Sequence, residues 1–523
     1  MSARPTAAPD RTSPALYSAA STASLAAELT GTGDPVVVFA PGDGTELGAV
    51  PTHRETEVPG VVASSRAAQR DWARWPVRDR ARVIRRFSDL VHQQRETILD
   101  VVQAETGKSR VHALEEIIDV VLGAAHDART APGALRERRR AGAFPVLTRT
   151  TEVRHPQGVV GVIAPWNYPF TLAATDAVPA LLAGNAVVIK PDAQTPFSAL
   201  TVVRLLREAG LPDGVMQVVT GPGETIGPAL IDAVDFVMFT GSTATGTTVA
   251  QRCASRLIGC SAELGGKNPL IVLEDADVAR TAEGAARASF SNAGQLCISI
   301  ERIYVAEPLA DRFTDAFVAA TGRLRLGVGP SWDLDVGSLV SAAQLERVQR
   351  HVDDAVARGA RVLTGGRARP DLGPYVFEPT VLTDVPADAL VAREETFGPV
   401  VSITVTRDDD ESVERANDSV HGLNASVWGS ARRGERIARR LAVGTVNVNE
   451  GYAAAWASHA APMGGWKSSG LGRRHGREGL LKYTEAQTVA TQRLLPIAPW
   501  PGMSNARYAR VVTAAAEVLR RVR

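Results

Sequence analysis

The chain predicts an α/β protein with two parallel-sheet units, and two features carry that expectation. Short β-branched runs at 159–163, 186–189, 215–219 and 236–239 alternate with helical segments such as 198–209. Strands that are apolar throughout belong to parallel sheets covered by helices on both faces. The same alternation restarts at 270–273 and continues through 302–305, 400–405 and 445–448, with the helix-like stretch 345–358 between. Ahead of both units, Val83, Ile84, Phe87, Leu90 and Val91, then Ile98, Leu99 and Val102, recur at helical spacing, which predicts a scaffold of amphipathic helices over 71–129. Open parallel sheets bind ligands beyond the carboxyl ends of their strands.

A chain of 523 residues, 45% hydrophobic and 22% charged, has material for more than one packed domain. Its 58 basic and 57 acidic residues are mixed along the chain, so no overall field draws nucleic acid or a membrane surface. No run approaches the roughly 20 apolar residues of a membrane span, and a cytoplasmic protein is expected. Cys253, Cys260 and Cys297 are too few and too irregular for a disulfide framework or a zinc site, so no metal is expected. Residues 1–30, rich in Ala, Ser, Thr and Pro, read as a disordered tail. Residues 505–523 can form a helix with Val511, Val512, Ala515, Val518, Leu519 and Val522 on one side. Of the few lysines, Lys190, Lys267 and Lys467 fall in Gly/Pro-rich segments, where a compact ammonium differs in use from a guanidinium fork.

Three segments are candidates for chemistry. Cys297 sits in Ser-Asn-Ala-Gly-Gln-Leu-Cys-Ile-Ser (291–299), where small and polar neighbours let a thiol stand beside backbone amides. Glu263 opens Glu-Leu-Gly-Gly-Lys-Asn-Pro (263–269), and a carboxylate before a Gly-Gly turn can pivot into a cleft as a base. Asn167 lies in Ala-Pro-Trp-Asn-Tyr-Pro (164–169) just past the strand at 159–163, rigidly placed for an oxyanion donor. Taken singly, each segment fits a plain structural role as well: a buried inert thiol, a capping carboxylate, an Asn in a turn.

Together the three segments resemble the aldehyde dehydrogenase superfamily, over residues 35 to 495 or so. Further landmarks are Phe-Thr-Gly-Ser-Thr-Ala-Thr-Gly (239–246), Glu-Glu-Thr-Phe-Gly-Pro (394–399) and Pro-Met-Gly-Gly-Trp-Lys-Ser-Ser-Gly (462–470). The resemblance implies that Cys297 attacks the aldehyde, Asn167 and the Cys297 N–H steady the oxyanion, and Glu263 activates the hydrolytic water. It implies that Trp166, Lys190, Ala193, Gly241, Ser242, Glu395 and Phe397 border the NAD(P) site, with the pyrophosphate on the helix start after Ser242. Coenzyme A-acylating relatives often lack the base, so Glu263 points to hydrolysis, and the intact Cys297, Glu263 and Asn167 speak against a non-catalytic structural protein.

NAD-selective relatives carry a Glu where this chain has Ala193; its absence beside Lys190 leaves room and positive charge for a 2′-phosphate, so NADP is expected, with NAD possible. The segments 291–305 and 478–488 look most like a bacterial branch of NADP-type succinate-semialdehyde dehydrogenases. Such enzymes hold the far carboxylate with two arginines and a serine, whereas the matching positions here are Thr175, Ser291 and Ala457. Another Arg or His459 would have to substitute. Tyr168, Phe290, Trp456 and Met463 belong to segments that line the substrate tunnel in the family, which keeps a neutral apolar or aromatic aldehyde open as the alternative. Ser299 replaces the second cysteine some relatives carry, and Arg474 replaces a proton-accepting Glu. The implied organisation is a cofactor-binding domain of Rossmann type over 31–136 and 157–264, a catalytic α/β domain over 265–471, a return segment at 472–485 and a tail at 496–523. A small β arm over 137–156 and 486–495 is expected to meet across the subunits of a homodimer or homotetramer.

Overall fold

The computed structural model describes residues 19–144 and 147–522. Its first large sheet has six strands in the order Gly470–Leu471, Gly259–Glu263, Phe236–Thr240, Val159–Ile163, Ala186–Lys190 and Met216–Val218. All pairings are parallel except that of Gly470–Leu471. The strands 159–163, 186–190 and 236–240 are almost wholly buried, as their unbroken apolar character predicts. The second sheet has seven strands, in the order Arg361–Thr364, Thr380–Thr383, Val400–Thr406, Ile300–Ala306, Asn268–Val272, Asn424–Trp428 and Thr445–Val448. Both α/β units are therefore present where the periodicity located them.

Pro169–Leu182 and Pro196–Glu208 pack on the first sheet, and Arg110–Ala134 packs on Pro169–Leu182 behind it. Two of these helix starts are tied down by buried carboxylates from the scaffold. Glu116 accepts the N–H groups of Phe170 and Thr171 at 2.9 Å, and Glu105 accepts those of Phe197 and Ser198. Free N–H groups and the dipole at a helix start favour an acceptor of this charge.

One expectation needs correction. Residues 1–18 lie outside the described residues, but from Ala19 the expected tail is a helix, Ala19–Ala26. It buries Leu25 and Ala26 in the core and ties Thr22 Oγ1 to the Leu47 carbonyl at 2.7 Å. An alanine-rich run has high helix propensity, and one buried leucine is enough to seat it. The β arm is a three-stranded antiparallel sheet of Arg138–Arg140, Thr148–Pro156 and Thr484–Gln492. Its segments thus pair with one another inside one chain, the pairing running from Thr484↔Pro156 to Gln492↔Thr148. The C-terminal helix forms over Asn505–Val522, with Val511 and Val518 exposed.

Candidate active site

Lys190, Thr240 and Glu263 each end a strand of the first sheet, and Asn167 follows Ile163 closely. The strand order doubles back at Val159–Ile163, and a crevice opens beyond the strand ends at such a switch point. From Glu263 the chain runs through Leu264–Lys267 straight into the strand Asn268–Val272 of the second sheet. Cys297 stands just before Ile300–Ala306 of that same sheet. The carboxyl edge of one sheet therefore faces the amino edge of the other, and the three candidate groups converge on the junction.

The turn before Cys297 is strained. Asn292 and Ala293 have φ of 50° and 53°, and Gly294 has φ +70° with no room for a Cβ, which would lie 2.1 Å from the Gly398 oxygen. Left-handed non-glycine residues cost about 1–3 kcal/mol each and persist only where neighbours over-determine them. Here Gln295 donates to the carbonyls of Asn292 (3.1 Å) and Ser338 (3.3 Å) and accepts from the Val340 N–H at 2.9 Å. Asn268 Nδ2 holds the Cys297 carbonyl at 2.8 Å.

Asn167 is buried, with Nδ2 donating to the Gln295 carbonyl at 3.1 Å. Its own carbonyl accepts from Lys108 Nζ at 2.7 Å and Asn292 Nδ2 at 3.2 Å. Lys108 is fully buried against Glu116 at 2.5 Å. A buried ion pair is sustained when hydrogen bonds satisfy its remaining atoms, and this pair fixes Asn167 and the following helix together. Cys297 is partly buried; burial pushes its thiol up to about 12, the Arg474 charge opposing this while Glu395 and Glu263 add to it. At rest the group is a thiol.

Glu263 is buried, and neither carboxylate oxygen has a hydrogen-bond partner among the described residues. Gly464, with φ +156°, faces it so closely that a Cβ would lie 2.9 Å from Glu263 Oε1. Burial raises its carboxyl to about 7; Arg474 and Lys482 hold it down and Asp176 pushes it up. A carboxylate poised near neutrality with open lone pairs suits general-base work. Arg474 is locked in place by Asp176 at 2.8 and 2.7 Å and by Thr240 Oγ1. It is a fixed positive charge felt by both Glu263 and Cys297.

On the far side of the junction, Ser242 caps the helix Thr243–Ser255, its hydroxyl accepting from the Thr245 N–H at 3.2 Å, and no acid occupies the first turn. Ser242 is exposed and Gly241 half-buried, so the helix start is open to an anion. Lys190 is buried with no hydrogen bond or ion pair on Nζ among the described residues, and Ala193 is half-buried nearby in sequence. Burial lowers the Lys190 ammonium, while Asp192 and Glu224 act to raise it. Phe397 (φ 55°) stands edge-on to Trp166 at 5.4 Å. Glu395 accepts from the Gly266 N–H at 2.9 Å, and burial raises its carboxyl to about 8. This loop is held by Glu301, which accepts from the N–H groups of Thr396 (2.9 Å) and Phe397 (3.0 Å) and pairs with buried Lys267. Sequence reading missed Lys108, Glu116 and Glu301. For Glu116 and Glu301 the available signal was a charged residue in an apolar helix or strand, which demands a buried partner; Lys108, in the connection between two helices, carried no such signal.

A helix start open to an anion, an unpaired buried ammonium and a strained thiol loop facing a buried carboxylate agree with the comparisons. The aldehyde dehydrogenase family pattern matches residues 29–489. The chain belongs to that family. It is 54% identical over 457 residues (87% of this chain, 88% of the other) to "Putative succinate-semialdehyde dehydrogenase (NADP+) 2" of Mycobacterium tuberculosis strain H37Rv. It is 38% identical over 464 residues to "4,4'-diapolycopene aldehyde oxidase" of Methylomonas sp., covering 88% of this chain and 86% of that one. Among solved structures, an NADP-dependent enzyme from E. coli superposes with a TM-score of 0.85 at 34% identity, covering 89% of this chain and 96% of the other.

In this aldehyde dehydrogenase a cavity of about 290 Å³ leads to Cys297 and Asn167. Tyr168, Trp456 and Ala457 line it; Thr175, Ser291 and Met463 are not part of its wall. Thr175 donates to its own helix at Thr171, and Ser291 donates to the Arg287 carbonyl and accepts from Tyr452 at 2.8 Å. Met463 packs behind the wall with Tyr168 and Leu172, and Phe290 stacks on Phe317 in the core of the second unit. Most of the wall is apolar, including Val111, Leu114, Ile118, Leu122 and Leu296. Two basic side chains also reach it, Arg287 and His459. Arg287 pairs with Glu115 at 3.5 Å and lies over the Tyr452 ring.

Among the described residues no helix is long and apolar enough to cross a membrane.

Proposed function

We propose that the chain oxidises an aldehyde to its carboxylic acid with NADP through a thioester on Cys297, and that succinate semialdehyde is its substrate. The observation that carries the chemistry is Glu263, buried beside the thiol loop with both oxygens free of partners. The Cys297 thiol gives its proton to solvent water as its sulfur adds to the carbonyl carbon, the carbonyl π pair moves to oxygen, and the resulting oxyanion lies against Asn167 Nδ2 and the Cys297 N–H. The helix start at Ser242, Lys190 and Glu395 would hold NADP, which would supply the hydride acceptor for the oxidation. Glu263 then takes a proton from water as the water oxygen attacks the thioester carbon, and the Cys297 thiolate leaves with the carbon–sulfur bonding pair.

NADP is supported by the names of similar relatives and by Lys190, whose ammonium makes no ion pair within 4 Å among the described residues, though Asp192 and Glu224 act on it from further off. Ala193→Glu is expected to lower kcat/KM for NADP about tenfold or more, because a carboxylate near a phosphate costs more than 1 kcal/mol at partly buried separations. NAD should lose less, and steady-state kinetics with both cofactors checks this.

The same relatives' names support succinate semialdehyde, with Arg287 as the basic group in the cavity wall. A second reading, a neutral apolar aldehyde, is favoured by the aliphatic wall and by the polyene aldehyde in the name of the Methylomonas relative. Comparing succinate semialdehyde with butanal decides between them. A preference of about tenfold for the acid is expected, since a hydrogen bond to a charged group is worth about 1.5–3 kcal/mol. Equal rates, or faster butanal, would establish the second reading.

The homo-oligomer and the cytoplasmic location belong to the same proposal. Beyond Thr484 the outer arm strand Thr484–Gln492 is exposed, and an unpaired strand edge of this length invites another chain. Light scattering is expected to give a mass at least twice that of the chain.

A further inference from the structure

Beside the substrate cavity lies a group of side chains that the oxidation does not use. Asp119 comes from the helix Arg110–Ala134, His459 from the loop after Ala453–Trp456, and His475 caps the helix Gly476–Leu481. Their ligand-capable atoms all lie within 4.8 Å of one another, with His459 Nε2 and Asp119 Oδ1 3.8 Å apart. Among the described residues, five of their atoms are buried without a hydrogen-bond partner: Asp119 Oδ1 and both ring nitrogens of His459 and of His475. An unsatisfied buried polar atom costs about 1–3 kcal/mol, and a shared occupant would satisfy three of the five, one from each residue.

We propose that Asp119, His459 and His475 bind one divalent transition-metal cation of the zinc class. Two imidazoles and one carboxylate are a donor set that zinc takes readily, at bonds of about 2.0–2.2 Å. Tetrahedral bonds of that length separate donors by about 3.4 Å, so His459 and Asp119, 3.8 Å apart, need a shift of a few tenths of an ångström, and the donors spread over up to 4.8 Å close by side-chain rotations of about 1 Å. The surroundings orient the donors as an outer shell does. Thr171 Oγ1 donates to the other Asp119 oxygen. His475 is held at φ 58° with its ring edge-on to Trp456 at 5.5 Å and to His459 at 5.0 Å, a left-handed backbone that is costly to maintain for packing alone. Three protein ligands leave a fourth position for water or a solute. Asp119 and His459 also line the substrate cavity, while His459 and His475 line the smaller cavity that holds Arg474 and Lys482. The cation would thus sit in the partition between the two, whichever aldehyde is oxidised.

The test uses the full chain, stripped with a chelator, desalted and titrated with Co²⁺, followed by its visible absorption and by elemental analysis, with Zn²⁺ as competitor. One equivalent per chain is expected, displaced by Zn²⁺. Uptake should survive Cys297→Ala, which separates it from metal capture by the active thiol. It should be lost in the double variant His459→Ala/His475→Ala, with circular dichroism and NADP binding as checks on folding. Asp119→Asn, which keeps shape and removes charge, should weaken uptake by at least the roughly tenfold typical of an outer-shell change. No stoichiometric uptake by the wild type, loss of uptake in Cys297→Ala, retention in the folded double variant, or unchanged affinity in Asp119→Asn would each overturn the assignment.

Discussion

Cys297→Ala is expected to lower aldehyde oxidation on the order of 10⁴-fold or more, the scale seen when a covalent nucleophile is removed. No other cysteine can take its place. Cys253 packs in the core of the first unit and Cys260 lies against that core, and neither lines the cavity that leads to Cys297. Cofactor binding should persist, because Ser242, Lys190 and Glu395 are untouched. The measurement is the burst of reduced nicotinamide on mixing with aldehyde, together with cofactor affinity. A burst of wild-type amplitude in the variant would remove Cys297 from the chemistry.

Glu263→Gln is expected to slow thioester hydrolysis by about 10²–10⁴-fold, the range for a lost general base, while the burst is retained. The glutamine is isosteric, so the cavity beside Gly464 is not refilled. The pH dependence gives a second readout. Burial holds the Glu263 carboxyl up at about 7; below that pH it is protonated and cannot accept a proton from water. Hydrolysis in the wild type should therefore rise as pH passes through about 7 and level off above it. The variant should lack this inflection. Single-turnover kinetics from pH 6 to 9 would show it, on the reasoning that a base acts only in its deprotonated form. Equal loss of burst and hydrolysis would contradict the role given to Glu263.

Both expectations depend on groups the sequence singled out, yet their settings came from elsewhere in the chain. Cys297, Glu263 and Asn167 stand in short segments whose small residues and prolines mark them locally. What holds Asn167 is Lys108, and what satisfies Lys108 is Glu116, both from the helical scaffold. Glu301 supports the Glu395–Phe397 loop from the neighbouring strand Ile300–Ala306. A pair of this kind leaves only a faint trace in the sequence, a charge among apolar residues, because the partner is chosen by packing and not by spacing. Arg474 shows the same limit. It could be read as the absence of a familiar glutamate, but only the fold brings Asp176 against it and turns it into a fixed cation beside Glu263.

By itself, the sequence determined the two α/β units, the family, and the thiol, amide and carboxylate at the junction, because hydrophobic periodicity and turn chemistry act over short stretches of chain. The tertiary structure decided that the arm strands pair within one chain and that Ala19–Ala26 is seated in the core. It also decided that the substrate wall is largely aliphatic, and that Asp119, His459 and His475 converge. Each of these depends on contacts between residues tens to hundreds of positions apart. Burial then sets their energies, since a carboxylate or imidazole in water is unremarked but one without a partner inside the protein must be explained.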